Sequence, residues 1–133
     1  MPFGKEKKCV LVIDDDASLL RQIRYRLEHH EGLSVIEAMN GEQGLALAKS
    51  GLPDIIILDW VLPGMQGLEV LEYLRAISET QSTPVLMLTG KNKVGNIEDA
   101  FAIGAQAYLT KPFSLQKLGE KIQGLLIDIS SED

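Results

Sequence analysis

Five residues of this 133-residue chain carry functional groups suited to one piece of chemistry, and each stands where an apolar run stops. Asp14 and Asp15 follow Cys9 to Ile13, and Asp59 follows Ile55 to Leu58. Thr89 closes Val85 to Leu88, and Lys111 comes just after Tyr108 and Leu109. Three carboxylates brought together repel one another, and a divalent cation resolves that repulsion. Carboxylate oxygens with room left for water suit Mg²⁺, with Mn²⁺ as the alternative. The set contains no His or Cys, which argues against zinc. An Asp that shares its metal with an incoming phosphate is placed to be a nucleophile, because the cation neutralises charge on the transferring group. In such a site Lys111 pairs with a second phosphoryl oxygen and Thr89 donates a hydrogen bond to another. Gly90 leaves the backbone N–H after Thr89 open to the same group.

These residues meet only if the elements between them fold in one way. Short β-branched or apolar runs alternate with stretches of helical spacing. Leu20, Ile23 and Leu27 mark a first helix, closed by Gly32. Leu33 to Glu37 reads as a weaker strand, and Asn40-Gly41 as a turn before a short helix ending at Gly51. Leu68, Leu71 and Leu74 form the stripe of a third helix, and Pro63-Gly64 with Gly67 the loop before it. Residues Ile97 to Ile103 read as a fourth helix stopped by Gly104, and Leu115, Leu118, Ile122 and Leu125 as a fifth. Strand and helix thus alternate five times, which means βαβ units and a mostly parallel sheet. Near-continuous apolar strands fit a sheet covered on both faces. In such a sheet ligands bind beyond the carboxyl ends of the strands, where strand order reverses. That is the one place all five residues share.

Bulk properties narrow the function further. The chain is 45% hydrophobic and 24% charged, a globular mix sized for one core. Its net charge of −6 argues against direct nucleic-acid binding, which needs a basic face. The single cysteine, Cys9, permits no internal disulfide and points to a cytoplasmic setting. It reads as a small buried hydrophobe. No segment is long and apolar enough for a signal-peptide core or a membrane span. One domain is expected over residues 1–133, with a core from about 8 to 127 and polar tails.

The motifs around the five residues resemble the receiver domain of two-component response regulators, of the chemotaxis-regulator type. The matching stretches are Val10 to Asp16 (VLVIDDD), Asp54 to Gly67 (DIIILDWVLPGMQG), Thr83 to Gly90 (TPVLMLTG) and Gly104 to Phe113 (GAQAYLTKPF). The resemblance implies a flavodoxin-like (βα)5 fold, a doubly wound parallel sheet of strand order 2-1-3-4-5. It implies phosphotransfer to Asp59 from a histidine kinase or histidine phosphotransfer protein, with Mg²⁺ as cofactor, rather than turnover of a substrate. It makes Asp15 the direct metal ligand, Asp14 a ligand through water and the Val61 backbone carbonyl a third. Thr89 and Tyr108 become a switch, with Tyr108 turning inward as Thr89 moves toward the phosphoryl group. That switch biases the face of helix 4, strand 5 and helix 5 toward a downstream protein or fused output domain. It also implies a cis Lys111-Pro112 bond. Either a stand-alone protein or a piece of a longer regulator or hybrid kinase fits.

Several residues read more plainly. Asp16 is a helix N-cap, His29 and His30 favour the end of helix 1, and Trp60 is a partly buried loop residue. The family often carries acidic residues where Gln106-Ala107 stand, a departure that lies away from the expected site. Rival readings lack a part. A haloacid-dehalogenase-type phosphatase needs a general acid two positions after the nucleophile, where Val61 stands. A flavin or dinucleotide binder needs a glycine-rich first loop, where three aspartates stand. A phosphorylation-independent interaction module is disfavoured by the complete set of site residues. In the family the side chains two after Asp59 and two after Thr89, here Val61 and Lys91, tune dephosphorylation, and an apolar Val61 positions no water. A long-lived phosphoryl group is expected. Its lifetime in the wild type should exceed that in Val61→Asn, and a faster-decaying wild type would refute this.

Overall fold

A computed structural model of the protein describes residues 7–90 and 97–130. Five strands and five helices alternate along the chain. They are β1 (Cys9–Ile13), α1 (Ala17–His30), β2 (Ser34–Ala38), α2 (Gly41–Gly51), β3 (Ile55–Asp59), α3 (Gly67–Ala76), β4 (Val85–Thr89), α4 (Ile97–Ile103), β5 (Ala107–Thr110) and α5 (Leu115–Ser130). All the strand pairings are parallel, in the order β2-β1-β3-β4-β5. The expected fold class is the one observed, with each strand within a residue or two of its reading.

The alternation of side chains along each strand splits the core into two layers. Val10, Val12, Ile55, Ile57, Leu86 and Leu88 face α1 and α5. Leu11, Ile13, Ile56, Leu58, Val85 and Met87 face the other way, onto α2, α3 and α4. Both faces are dry, so strands β1, β3 and β4 carry no polar residue until their carboxyl ends. The order reverses between β1 and β3, which run side by side, with Ile13 opposite Leu58. The two loops that follow them, carrying Asp14 and Asp59, therefore open into one crevice.

Helix ends show how local chemistry sets these loops. Asp16 accepts hydrogen bonds from the N–H groups of Ser18 and Leu19, at 3.0 and 3.1 Å, and starts α1 one step past the acidic pair. Asn40-Gly41, which reads as a turn, is instead a helix start: Asn40 Oδ1 accepts the Gln43 N–H at 2.8 Å. Gly44 lets α2 lie against the sheet, since an added Cβ would stand 2.5 Å from Ile13 Cδ1. Cys9 is half-buried rather than buried, because it opens the strand at its solvent end. Trp60 differs in the other direction: at 6% exposure it belongs to the core layer under α3.

Leu52 is the one non-glycine with positive φ among the described residues, at +45°. It caps α2 in the left-handed conformation, with its N–H on the Ala48 carbonyl and its side chain 60% exposed. That conformation crowds Cβ and is where glycine is preferred. Leu52→Gly should therefore stabilise the fold by about 0.5–1 kcal/mol, read as a higher urea midpoint with an unchanged m-value.

Candidate functional site

The crevice holds three carboxylates and one ammonium. Asp14, Asp15 and Asp59 each offer an oxygen within 4.8 Å of the others. Asp14 and Asp59 are almost sealed from water, with side chains 0% and 8% exposed, whereas Asp15 is exposed. Lys111 Nζ lies 2.9 Å from Asp14 Oδ2 and 3.3 Å from Asp59 Oδ1, bridging the two. The other oxygen of Asp14 accepts the Asp16 N–H at 2.9 Å. Asp14 thus has both oxygens engaged, while Asp15 is open to solvent.

Each side chain is placed by a strand end. The β1 ladder carries on one residue past its last strand position, with the Asp14 N–H on the Ala38 carbonyl at 3.0 Å. Asp59 ends β3 opposite Leu88, and the Trp60 N–H reaches the Leu88 carbonyl at 2.9 Å. Thr89, 1% exposed, ends β4, and its carbonyl accepts the Lys111 N–H at 2.7 Å. That bond and the cis Lys111-Pro112 peptide, which the resemblance implies and the structure contains, complete the turn carrying the lysine. The structure thus gathers Asp14, Asp15, Asp59 and Lys111 directly and ties Thr89 to Lys111 through the backbone. Val61, two residues beyond Asp59, has an exposed side chain. Tyr108 stands outside the cluster on the edge strand, 40% exposed, edge-on to Phe101 with ring centroids 5.9 Å apart. Lys91 lies outside the described residues.

Gly67 belongs to the site although it reads from sequence as a loop glycine. Its N–H donates to the Trp60 carbonyl at 2.8 Å. A Cβ there would collide with the Asp59 carbonyl and lie 2.9 Å from Trp60 Cα. The start of α3 is thereby pressed against the backbone that carries Asp59. The only signal for this in the sequence is a glycine at the head of an apolar helical stripe.

Electrostatics in the crevice are unbalanced. Burial, and then the neighbouring Asp14 charge, raise the Asp59 carboxyl from 3.8 to about 6, although Lys111 pulls the other way. For Lys111, burial works against the ammonium, but the hydrogen bond to Asp14 and the charges of both aspartates prevail and raise it. One lysine does not neutralise three converging carboxylates. The remaining negative charge, presented by hard oxygen donors with one of them open to water, fits a divalent cation of the Mg²⁺ kind.

A doubly wound parallel sheet with an acidic crevice and a lysine at its switch point defines the class to which this protein belongs. Comparison with known proteins then gives the family. Residues 10–123 match the response regulator receiver domain, and the chain belongs to that family. It is 36% identical over 119 residues to the phosphate regulon transcriptional regulatory protein PhoB of Pseudomonas aeruginosa, covering 90% of this chain and 52% of that one. It is 37% identical over 119 residues to the alkaline phosphatase synthesis transcriptional regulatory protein PhoP of Bacillus subtilis, with coverage of 90% and 48%. The chain therefore spans about half the length of these curated relatives. Among solved structures, it is similar to a CheY-like receiver domain protein from Methanospirillum hungatei, with a TM-score of 0.89 and 30% identity over 96% of this chain and all of that one. It is also similar to the chemotaxis response regulator CheY4 of Vibrio cholerae, with a TM-score of 0.84 and 32% identity over 90% and 99% of the two chains. No helix among the described residues is long and apolar enough to cross a membrane.

The raised Asp59 carboxyl makes a pH-dependent prediction for the metal-free protein. Between pH 4 and 6 the folded state holds a proton there that the unfolded chain has released, so stability falls as pH rises through that window and levels off above it. A displacement from 3.8 to about 6 corresponds to roughly 3 kcal/mol at most. Asp59→Asn lacks this dependence and should gain on the wild type from pH 4 to about pH 6 in chelator, with the gain levelling off above that. Added Mg²⁺ should remove much of that advantage above pH 6. Urea melts at each pH check it, and parallel stability curves for the two proteins would refute it.

Proposed function

We propose that this chain is the phosphoacceptor unit of a two-component phosphorelay, one receiver domain with its core over about residues 8–127. The observation that carries the proposal is the convergence of Asp14, Asp15 and Asp59 at the sheet's switch point, with Lys111 bridging Asp14 and Asp59. Asp59 would attack phosphorus in-line; its O–P bond forms as the N–P bond of a phosphohistidine breaks, and the imidazole leaves. The donor is a histidine kinase or histidine phosphotransfer protein. Bound at Asp15, Asp59, the Val61 carbonyl and, through water, Asp14, Mg²⁺ would neutralise charge on the transferring group. Lys111 already sits between the aspartates and needs only a new partner when the phosphoryl group arrives. Its attraction to that group supports transfer in the way a fixed cation stabilises developing charge.

Thr89 would then donate to the phosphoryl group and Tyr108 move inward, altering the face made by α4, β5 and α5. The exposed ring of Tyr108 supports this, since it has an outward position to leave. A downstream protein or a fused output domain reads that face, in a cytoplasmic setting. The chain catalyses no reaction beyond its own phosphorylation and slow dephosphorylation, and it binds neither nucleic acid nor membrane directly.

The test is incubation with Mg²⁺ and acetyl phosphate followed by intact-mass measurement. One phosphoryl adduct is expected on the wild type, none on Asp59→Asn, and none when the metal is chelated. Absence of an adduct even with a histidine kinase would favour an interaction module. Rapid turnover of assorted phosphate esters would favour a phosphatase.

A further inference from the structure

Gln106 lies at the opposite end of the sheet from Asp59, and nothing in its sequence context connects it with the site. The structure makes it the corner of a polar knot. Its Oε1 accepts the Val85 N–H at 2.8 Å, and its own N–H donates to the Val85 carbonyl at 3.0 Å. One residue thus brackets the first residue of β4. The amide is itself fixed by Arg75 at the end of α3. Arg75 Nη2 donates to the same Oε1 at 3.2 Å and to the Gly104 carbonyl at 2.9 Å, and Nη1 donates to the Thr80 carbonyl at 3.0 Å. Gly104, with φ +123°, leaves the guanidinium its space: a Cβ there would stand 2.7 Å from Arg75 Nε. Burial pushes this guanidinium below its ordinary value, and these partners are carbonyls and an amide, none of them charged.

The knot bears on the site through β5. That strand has four residues, lies at the sheet edge and pairs with β4 alone. It is fastened at one end by Gln106 on Val85 and at the other by the Lys111 N–H on the Thr89 carbonyl. Between the fastenings, Leu109 is the buried residue that fixes which face turns inward. A slip of one residue would turn Leu109 out of the core and carry Lys111 about 3.3 Å along the strand. That distance matches the whole separation of Lys111 from Asp59, 3.3 Å.

We infer that Gln106, held by Arg75, is a positioning residue for Lys111: it pins the near end of β5 so that the lysine at the far end meets Asp14 and Asp59. The consequence for phosphorylation rests on the phosphoacceptor reading, but the geometry does not. Gln106→Ala removes the acceptor for Val85 and Arg75. Gln106→Glu keeps the acceptor and gives Arg75 a charged partner, so it should retain positioning and raise Tm.

Native-state amide exchange, well below the unfolding temperature of each variant, decides the matter. In Gln106→Ala, exchange of the Lys111 N–H should accelerate about tenfold relative to amides of β1 and β3. In Gln106→Glu it should stay at the wild-type rate. Labelling of Gln106→Ala by acetyl phosphate at saturating Mg²⁺ should slow about threefold or more, as expected for a misplaced charge. Gln106→Glu should label normally. An unaltered Lys111 amide in Gln106→Ala, or acceleration spread evenly over all strands, would overturn the inference, because a purely structural role predicts uniform loosening. Normal labelling of Gln106→Ala would also overturn it. An unlabelled wild type would sink the phosphoacceptor reading, and the exchange comparison would still decide the role of Gln106.

Discussion

Two carboxylates held at the dry end of a parallel sheet set the terms for the rest of this structure. Asp14 and Asp59 have almost no contact with water, and at Asp59 burial and the Asp14 charge both favour the neutral acid. Three groups offset the crowded negative charge: the Asp16 N–H on Asp14, the Lys111 ammonium between the two carboxylates and, in the functional reading, a divalent cation. The amide is local, since it comes from the residue that caps α1, two positions along the chain. The ammonium is not, since it comes from a residue 97 positions later in the chain. A site that depends on such a distant residue depends on every element in between being in register.

The sheet supplies that register by being covered on both faces. A strand with apolar residues pointing both ways cannot shift by one position without moving its whole pattern relative to its neighbours. The central strands β1, β3 and β4 are fixed in this manner, with two dry layers packed against them. Their carboxyl ends then deliver Asp14, Asp59 and Thr89 to fixed points. The edge strand β5 has less to hold it, with one buried residue among its four. Its hydrogen bonds at the two ends carry more of the positioning for that reason. An edge strand with so little buried, and with Lys111 just past its end, is held at its ends rather than along its length.

Glycines and caps show the same economy at the loops. Gly67 admits the head of α3 to the backbone of Asp59 and Trp60, and Asp16 starts α1 immediately beyond the acidic pair. Neither contributes a side chain to the crevice. Both limit how far the crevice walls can move, so that the cluster stays a cluster when its charges are uncompensated.

Much of this was legible from residue order. Apolar runs ending in Asp14, Asp59, Thr89 and Lys111 imply a parallel sheet with one functional rim, because a dry strand has to end before a charge can stand in it. Asp16 reads as a cap because a short acceptor before a helical pattern has few other uses. Other features depend on neighbours that sequence spacing does not show. The raised Asp59 carboxyl arises from burial and from Asp14, 45 residues earlier. Trp60 is core rather than loop because α3 folds over it, and Asn40-Gly41 starts a helix because Asn40 finds the Gln43 amide. Gly67 and Gln106 owe their roles to a carbonyl and a strand that come close only in the folded chain. The sequence by itself determined which groups are present and at which end of the sheet they stand, since hydrophobic pattern and turn chemistry are local. Only the tertiary structure decided how far apart their charges lie and what holds them there, since charge interactions and backbone contacts depend on distance in space.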